Sequence, residues 1–193
     1  MKYILIFLLS TALNASCQNK ASKGDDLARN ITRVIKAFKD KDAKTLNSMI
    51  HKDHGLTVVF RSGVFDEYKT TDKIDFNNPV PNWPYPDFKP ELDLKYETLP
   101  TFDCGSDEWS KKGLYCNTLK KDHLLSRTAL NLIKYADIEV EQEVIDAFKE
   151  LEDKSHRVVM VDADGKSLIF YLTQIKNKWY LTAIDRVSGD CSA

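Results

Sequence analysis

Residues 156–187 read HRVVMVDADGKSLIFYLTQIKNKWYLTAIDRV, and this stretch decides the fold. It contains three segments rich in the β-branched and aromatic residues that favour strands. The breaks between them hold Asp164, Gly165 and Asn177, which tolerate the positive φ angles of tight hairpin turns. The stretch therefore predicts an antiparallel meander of three strands. The predicted strands are residues 157–161, 168–175 and 179–187.

Both faces of this meander are apolar. Side chains alternate between the two faces of a strand, so a two-residue turn between the last two strands decides which residues share a face. Apolar faces need cover, and we expect helices on one face and further chain, a ligand or a second subunit on the other. One face would carry Leu168, Phe170, Leu172, Trp179, Leu181 and Ala183, and the other Ile169, Tyr171, Ile175, Tyr180 and Ile184.

The rest of the chain predicts helices and further strands around the meander. Asp42 and Asp122 each precede a helical pattern and are expected to cap it. The order of these elements predicts an α+β fold, in which a curved antiparallel sheet packs against N-terminal and middle helices. Apolar side chains at helical spacing predict helices over residues 25–40, 43–51, 122–135 and 139–152. Strand patterns cover residues 56–61, 64–68 and 92–96.

Residues 1–16 are predicted to be an export signal. Lys2 gives a positive start, and the apolar run that follows is too short for a permanent membrane span. Ala15 and Ser16 precede Cys17 in a pattern that resembles the lipobox of bacterial lipoproteins. The resemblance implies a lipid on Cys17 and a location on a membrane facing the periplasm or the cell surface. The alternative is an ordinary secretory signal that leaves Cys17 as a plain thiol.

Residues 17–24 are polar and predict a flexible tether, and residues 25–193 have the length of one domain. The chain carries 28 basic and 29 acidic residues. Because both signs are scattered along the chain, we expect no nucleic-acid partner. Catalytic serine and phosphate-binding glycine motifs are absent from the sequence, and we expect no cofactor.

Three cysteines follow Cys17, and an exported chain meets an oxidising compartment. Cys104 and Cys116 bracket a short loop that contains two glycines, and a disulfide between them is the first expectation. Cys191 could instead pair with either of them. The chain has no CxxC pair, so we expect no metal site.

Residues 75–90 contain five of the six prolines together with Phe76, Trp83, Tyr85 and Phe88. The missing N–H donors exclude a helix interior and a central strand. Two compatible hypotheses follow. The rings cover one face of the sheet, or Trp83 and Tyr85 form a flap that contacts a ligand or a partner protein.

Two polar clusters could carry chemistry. Residues 51–54 (HKDH) could offer two imidazoles and a carboxylate to a metal, although helix C-termini attract histidine for electrostatic reasons alone. Asp122, His123 and Arg127 begin the third predicted helix, where they could bind an anion or transfer a proton.

Two N-terminal helices joined at residues 39–43 (KDKDA) and a final meander that contains residues 178–181 (KWYL) resemble the NTF2-like, or cystatin-like, superfamily. The resemblance implies a curved sheet that wraps helices into a cone. Some members use an aspartate base with tyrosine donors inside that cone, but no motif here assigns such a base. The chain is also similar to small exported lipoproteins of Gram-negative bacteria, which carry no activity to transfer.

The leading hypothesis is an exported, membrane-anchored domain that binds a protein or a small-molecule ligand and is not an enzyme. The residues expected to contact the ligand are Trp83, Tyr85, His123 and Arg127. The first alternative is a small hydrolase or isomerase with acid and base groups in the cone. The second is a structural subunit that forms a homodimer through an open sheet face.

Overall fold

A computed structural model describes residues 23–191 of the chain. The predicted signal at residues 1–16, Cys17 and most of the predicted tether lie outside the described residues. Helix α1 begins at Lys23, two residues before the expected start. Within the described part of the chain, no helix has both the length and the apolar composition needed to cross a membrane.

The fold is α+β, as predicted, and it ends in a meander of three strands. The helices are α1 (Lys23–Lys39), α2 (Ala43–Asn47), α3 (Leu124–Ala136) and α4 (Gln142–Asp153). The strands are β1 (Leu56–Arg61), β2 (Asp66–Thr71), β3 (Leu94–Lys95), β4 (Phe102–Asp103), β5 (Glu108–Trp109), β6 (Gly113–Asn117), β7 (Ser155–Val161), β8 (Ser167–Ile175) and β9 (Lys178–Asp185).

Seven of these strands form one sheet in the order β2-β1-β9-β8-β7-β6-β3, and β4 pairs with β5 in a separate hairpin. The sheet is mixed and not wholly antiparallel, because β1 runs parallel to β9 and β3 runs parallel to β6. An alternating pattern identifies a strand but does not identify its partner, which is why the sequence missed both parallel pairings.

The turn between β8 and β9 has the predicted form. Lys176 and Asn177 are its two central residues, with φ angles of 47° and 64°. Two successive positive φ angles are typical of the type I′ hairpin turn, whose twist matches that of the flanking strands. The turn thereby sets the register in which β8 meets the beginning of β9.

A β-bulge then changes that register by one residue, and Thr182 is the extra residue on β9. Leu181 and Ile184 consequently pack on one face, while Ala183 packs on the other. The predicted faces of Ala183 and Ile184 were therefore wrong, because simple alternation gives no sign of an inserted residue.

Helices and loops cover both faces of the sheet. Helices α1 and α2 and the proline-rich segment cover one face, and α3 and α4 cover part of the other. The remainder of the second face packs against Trp109 of β5. The first face contributes the largest buried cluster, with Leu56, Val58, Phe60, Leu114, Cys116, Val158, Met160, Leu168, Phe170, Leu172, Trp179, Leu181 and Ile184.

The proline-rich segment 75–90 contributes to this cover. The rings of Phe76 and Tyr85 meet Phe38 of α1 edge to face, with centroids 5.9 Å and 5.1 Å away. Phe88 is buried in the same cluster, whereas Trp83 is 38% exposed. The Trp83 ring nevertheless meets Phe60 of β1 edge to face, with centroids 6.0 Å apart, so the covering role predicted for these rings describes all four aromatic residues.

The disulfide joins Cys104 to Cys191, whose Cα atoms are 5.6 Å apart, so the predicted Cys104–Cys116 bond is wrong. Cys116 lies on β6 with its side chain in the core beside α1, and it is fully buried and free. Cys104 lies beyond β4 on the exposed surface, where it can reach Cys191 but not the interior. Burial raises the pKa of the Cys116 thiol to about 12, which keeps it protonated.

Candidate functional site

A cavity of about 460 Å³, here named the α3 pocket, lies beside the N-terminus of α3. It brings together three residues that the sequence had grouped and several that it had not. Its size falls within the range of small-molecule binding sites. The pocket is lined by residues 98–101, Asn117, Lys120, Lys121, Asp122, His123, Arg127 and Arg157.

Asp122 does not cap α3, contrary to the prediction. His123 occupies the cap position and its side chain makes no capping hydrogen bond. The Asp122 carboxylate instead forms an ion pair with Arg157 at 2.9 Å and accepts a hydrogen bond from the Tyr171 hydroxyl at 2.9 Å. Burial raises the pKa of Tyr171 well above its ordinary value, so this hydroxyl remains a donor.

Glu152 of α4 performs the capping that Asp122 does not. Its carboxylate accepts hydrogen bonds from the backbone N–H of Leu125 at 2.6 Å and from the Ser126 hydroxyl at 2.6 Å. The side chain of Glu152 is only 2% exposed. Burial raises the pKa of Glu152, and the hydrogen bonds from Ser126 and Leu125 partly offset that rise. His123 Nδ1 lies 3.7 Å from the same carboxylate.

Arg157 of β7 links the pocket to the end of β9. Its guanidinium donates to Asp185 at 2.6 Å and to the Ser188 hydroxyl at 2.7 Å, in addition to its bond with Asp122. The Asp185 side chain is fully buried and accepts the backbone N–H of Val187. Two carboxylates therefore neutralise Arg157, which forms one wall of the pocket without offering it a free charge.

The remaining cations of the pocket are less constrained. The side chains of Lys120 and Arg127 make no hydrogen bond or ion pair with the described residues, and both are exposed. Lys121 donates to the carbonyl of Ser155 at 3.2 Å. Because both nearby carboxylates already have partners, the pocket presents an excess of positive charge to solvent.

The four predicted binding residues lie in two places. His123 and Arg127 both line the α3 pocket, whereas Trp83 and Tyr85 do not. The latter two pack beneath the guanidinium of Arg186, which lies 5.7 Å and 4.8 Å from their ring centroids. Arg186 also donates to the Trp83 carbonyl at 3.0 Å, which fixes the position of the proline-rich segment.

Sequence reasoning missed Lys120, Lys121 and Arg157. The first two lie in the connection before α3, where adjacent lysines look like ordinary surface residues. Arg157 carried a usable signal, since it is a charged residue at the start of an otherwise apolar strand. A charge in that setting requires a buried partner, and the partners are Asp122 and Asp185.

The HKDH cluster at residues 51–54 forms a small packed turn. His51 Nδ1 accepts the backbone N–H of Asp53 at 3.2 Å, and the His51 ring meets those of His54 and Tyr180 at 4.8 Å. Among residues 23–191, no group of three or more histidine, cysteine, aspartate or glutamate side chains is placed to hold a metal ion.

Comparison of the chain with protein families, with curated proteins and with solved structures finds no match. The resemblance to the NTF2-like superfamily and to exported lipoproteins therefore stays a prediction from the sequence.

Proposed function

We propose that this protein is an exported, lipid-anchored binding domain that holds a small organic anion in the α3 pocket. One observation carries the proposal. The side chains of Lys120 and Arg127 line the pocket together with His123 and have no acceptor among the described residues. Basic side chains without partners at the wall of a cavity favour an anionic ligand, which supplies the missing acceptors.

The pocket also has an apolar wall. Leu99 and Pro100 line the side formed by residues 98–101, and Thr98 and Thr101 flank them. A pocket with cations on one side and apolar surface on the other suits a ligand that combines a carboxylate or phosphate with a hydrocarbon or ring portion.

An acid-base enzyme is the second candidate, and the 3.7 Å separation of His123 Nδ1 from Glu152 favours it. A histidine beside a carboxylate is a common arrangement for a general base. However, the Glu152 carboxylate already accepts a hydrogen bond from the first turn of α3, and the Asp122 carboxylate is paired with Arg157. The geometry supports binding better than catalysis, because the 3.7 Å separation is too long for the hydrogen bond with which a carboxylate would orient His123 as a base.

The anchor part of the proposal rests on the sequence of residues 1–17. A positive start, an apolar run and small residues before Cys17 are the pattern of a lipoprotein signal. Mass spectrometry of the mature N-terminus tests it. A chain that begins at Cys17 with two or three acyl groups supports the anchor, and an unmodified Cys17 contradicts it.

Binding can be tested with benzoate and phenyl phosphate as probes, monitored by isothermal titration calorimetry and by ¹H–¹⁵N NMR. We expect saturable binding that perturbs residues 98–101 and the first turn of α3. Arg127→Ala should weaken binding about tenfold, the usual effect of losing one charged hydrogen bond. Lys134→Ala is the matched control, because it removes the same charge from the same helix away from the pocket.

The proposal fails if neither probe perturbs the pocket, or if Lys134→Ala weakens binding as much as Arg127→Ala does. In the described part of the chain, helices and loops cover both faces of the sheet, which argues against a homodimer formed through an open sheet face.

A further inference from the structure

The loop between β6 and α3 presents an apolar side chain to solvent. Leu119, in this loop, is 94% exposed. The side-chain oxygen of Asn117 accepts the backbone N–H groups of Leu119 and Lys120 at 2.9 Å and 3.0 Å, so a defined turn holds the leucine outward. Single exposed leucines are common on protein surfaces, and the surroundings of Leu119 therefore decide what this exposure means.

This loop lies at the end of the domain where α1 begins. Thr118 of the loop, Gly24 of α1 and Trp179 of β9 line the same cavity, which has a volume of about 510 Å³. The turn between β8 and β9 lies at this end too, because it directly precedes Trp179. The surface formed by residues 118–121 and 176–178 beside the start of α1 is here named the basal surface.

The basal surface is basic. Residues 118–121 (TLKK) and 176–178 (KNK) contain four lysines and no acidic residue. Both lysine side chains of the second stretch are exposed and make no hydrogen bond or ion pair with the described residues. Glu150 and Asp153 of α4 oppose this charge, but Glu150 is already paired with Lys154. Exposed lysines around an apolar side chain suit an anionic bilayer, whose phosphates attract the ammonium groups and whose hydrocarbon accepts the leucine.

The length of chain before α1 limits how far this surface can be from a lipid on Cys17. Five residues separate Cys17 from Lys23, where α1 begins. The Cα atoms of Cys17 and Lys23 can therefore be at most about 20 Å apart. An acylated Cys17 holds the start of α1 within that distance of the bilayer. The end of the domain that a lipid anchor brings to the membrane is thus the end that carries the basal surface.

We propose that the basal surface docks on a bilayer that contains anionic lipid, with Leu119 inserted among the headgroups and Lys176 and Lys178 beside their phosphates. The inference rests on the anchor part of the proposed function, because a lipid on Cys17 brings the surface to the bilayer. Charge and apolar contact then fix the orientation of the domain, which a tether alone does not do. Lys120 lines the α3 pocket, so docking places that pocket beside the membrane.

Paramagnetic broadening of ¹H–¹⁵N resonances tests the orientation. The acylated protein is placed in nanodiscs of phosphatidylglycerol and phosphatidylcholine in equal parts, with a trace of gadolinium-chelating lipid as a headgroup label. We expect residues 118–120 and 176–178 to broaden about fivefold more than residues 63–65 and 164–166, because the two ends of β8 are about 30 Å apart. Nanodiscs of phosphatidylcholine alone should reduce that difference to about twofold or less, since the tether then acts without charge attraction.

One pair of variants tests the role of charge. Lys176→Gln and Lys166→Gln each remove one exposed lysine from a turn of the meander, at opposite ends of β8. On the anionic nanodiscs, Lys176→Gln should lower the broadening of residues 118–120 about twofold or more, because each lysine near an anionic surface adds to the attraction. Lys166→Gln is the matched control and should leave that broadening unchanged.

A second pair tests the role of the apolar contact. Leu119→Ser should lower the broadening of residues 176–178 about twofold or more, because the inserted side chain is lost. Val64→Ser is the matched control, since Val64 is 73% exposed and lies in the turn between β1 and β2 at the other end of the sheet. Thermal unfolding of all four variants shows that each remains folded.

The docking proposal is overturned if both ends of the domain broaden equally on anionic nanodiscs, if neutral nanodiscs give the same difference, or if either control variant acts as its partner does. Mass spectrometry of Cys17 in the same sample reports on the anchor separately. Equal broadening with an acylated Cys17 removes the docking and leaves the anchor standing, whereas an unmodified Cys17 removes the anchor and the docking with it. None of the four substituted residues lines the α3 pocket, so the anion-binding proposal is tested independently.

Discussion

Glu152, near the end of α4, accepts a hydrogen bond from the backbone N–H of Leu125 in the first turn of α3 at 2.6 Å. A helix thus receives its N-terminal cap from a residue 27 positions later in the chain. This arrangement ties α3 to α4 and releases Asp122 from the capping role that its position suggests. Asp122 can then bind Arg157 and help to form the wall of the α3 pocket.

Removal of the Glu152 carboxylate should destabilise the protein. Glu152→Ala leaves the N–H of Leu125 and the hydroxyl of Ser126 buried without a partner, which we expect to cost about 2–4 kcal/mol of unfolding free energy. Glu152→Gln can still accept from Leu125 and should cost much less. Urea denaturation of the two variants tests this, and equal losses would show that the hydrogen bond to Leu125 is unimportant.

The pH dependence of stability should also report on Glu152. Burial raises the pKa of this carboxyl above its ordinary value of 4.5, so the folded state binds the proton more tightly than the unfolded state does. The contribution of the protonated Glu152 side chain to the unfolding free energy is therefore complete below the unfolded pKa, and it is lost as the pH rises through the folded pKa. The Glu152→Gln variant cannot titrate at this position. Its unfolding free energy should therefore rise relative to that of the natural chain as the pH increases across this range. A stability difference that stays constant from pH 4 to pH 8 would rule out the raised pKa.

The ion pair between Arg157 and Asp185 should be strongly coupled. Arg157→Met leaves a fully buried carboxylate without its cation and should cost about 3–5 kcal/mol. In the double variant with Asp185→Asn, the loss should be smaller than the sum of the two single losses. Denaturant unfolding of all four proteins measures the coupling, and simple additivity would contradict the buried pair.

Cys104 and Cys116 should respond differently to substitution and to labelling, because Cys104 is in the disulfide and Cys116 is a free, buried thiol. Cys104→Ser should lower the free energy of unfolding by about 4–5 kcal/mol, which is the chain-entropy value for a crosslink between residues separated by 87 positions. Cys116→Ala is the control, and non-reducing peptide maps of this variant should still show the crosslink between Cys104 and Cys191. Iodoacetamide should fail to label Cys116 in the folded protein at pH 8, since the thiol is buried and has a pKa of about 12. Rapid labelling of Cys116 would contradict its placement in the core.

Two aromatic residues of the proline-rich segment should behave differently. Tyr85 packs on Phe38 and beneath Arg186, so Tyr85→Ala should cost about 2–4 kcal/mol. Trp83 is more exposed, and Trp83→Ala should change stability by about 1 kcal/mol or less. Thermal unfolding separates the two effects. If Trp83→Ala weakens binding of a partner without unfolding the protein, the segment also serves as a contact surface.

The sequence predicted the local features of the fold and missed those that depend on distant partners. The strands of the meander and the turn at Lys176 and Asn177 follow from composition and periodicity. The parallel pairing of β1 with β9 does not, because a strand buried on both faces carries no sign of its neighbour. Proximity in sequence likewise favoured Cys116 as the partner of Cys104, although β6 turns Cys116 towards the core.

In the α3 pocket, too, the residues close together in sequence were predictable and those from distant elements were not. His123 and Arg127 were predictable because they are four residues apart, the spacing that places side chains on the same side of a helix. Arg157 and Glu152 reach the site from β7 and α4, and only the tertiary fold shows that they meet there. The local rule that assigned the cap to Asp122 failed because a buried residue from another helix competes for the same N–H groups.

The extra residue in β9 has an evolutionary consequence. If Thr182 were deleted, the three residues Leu181, Ala183 and Ile184 would become consecutive and would alternate between the two faces of the sheet. Each side chain would still point to its present face. A deletion at this position therefore preserves the interior, whereas a deletion earlier or later in the strand would exchange inside and outside for every residue beyond it. Distant relatives of this protein should differ in length at position 182 before they do so elsewhere in the strand.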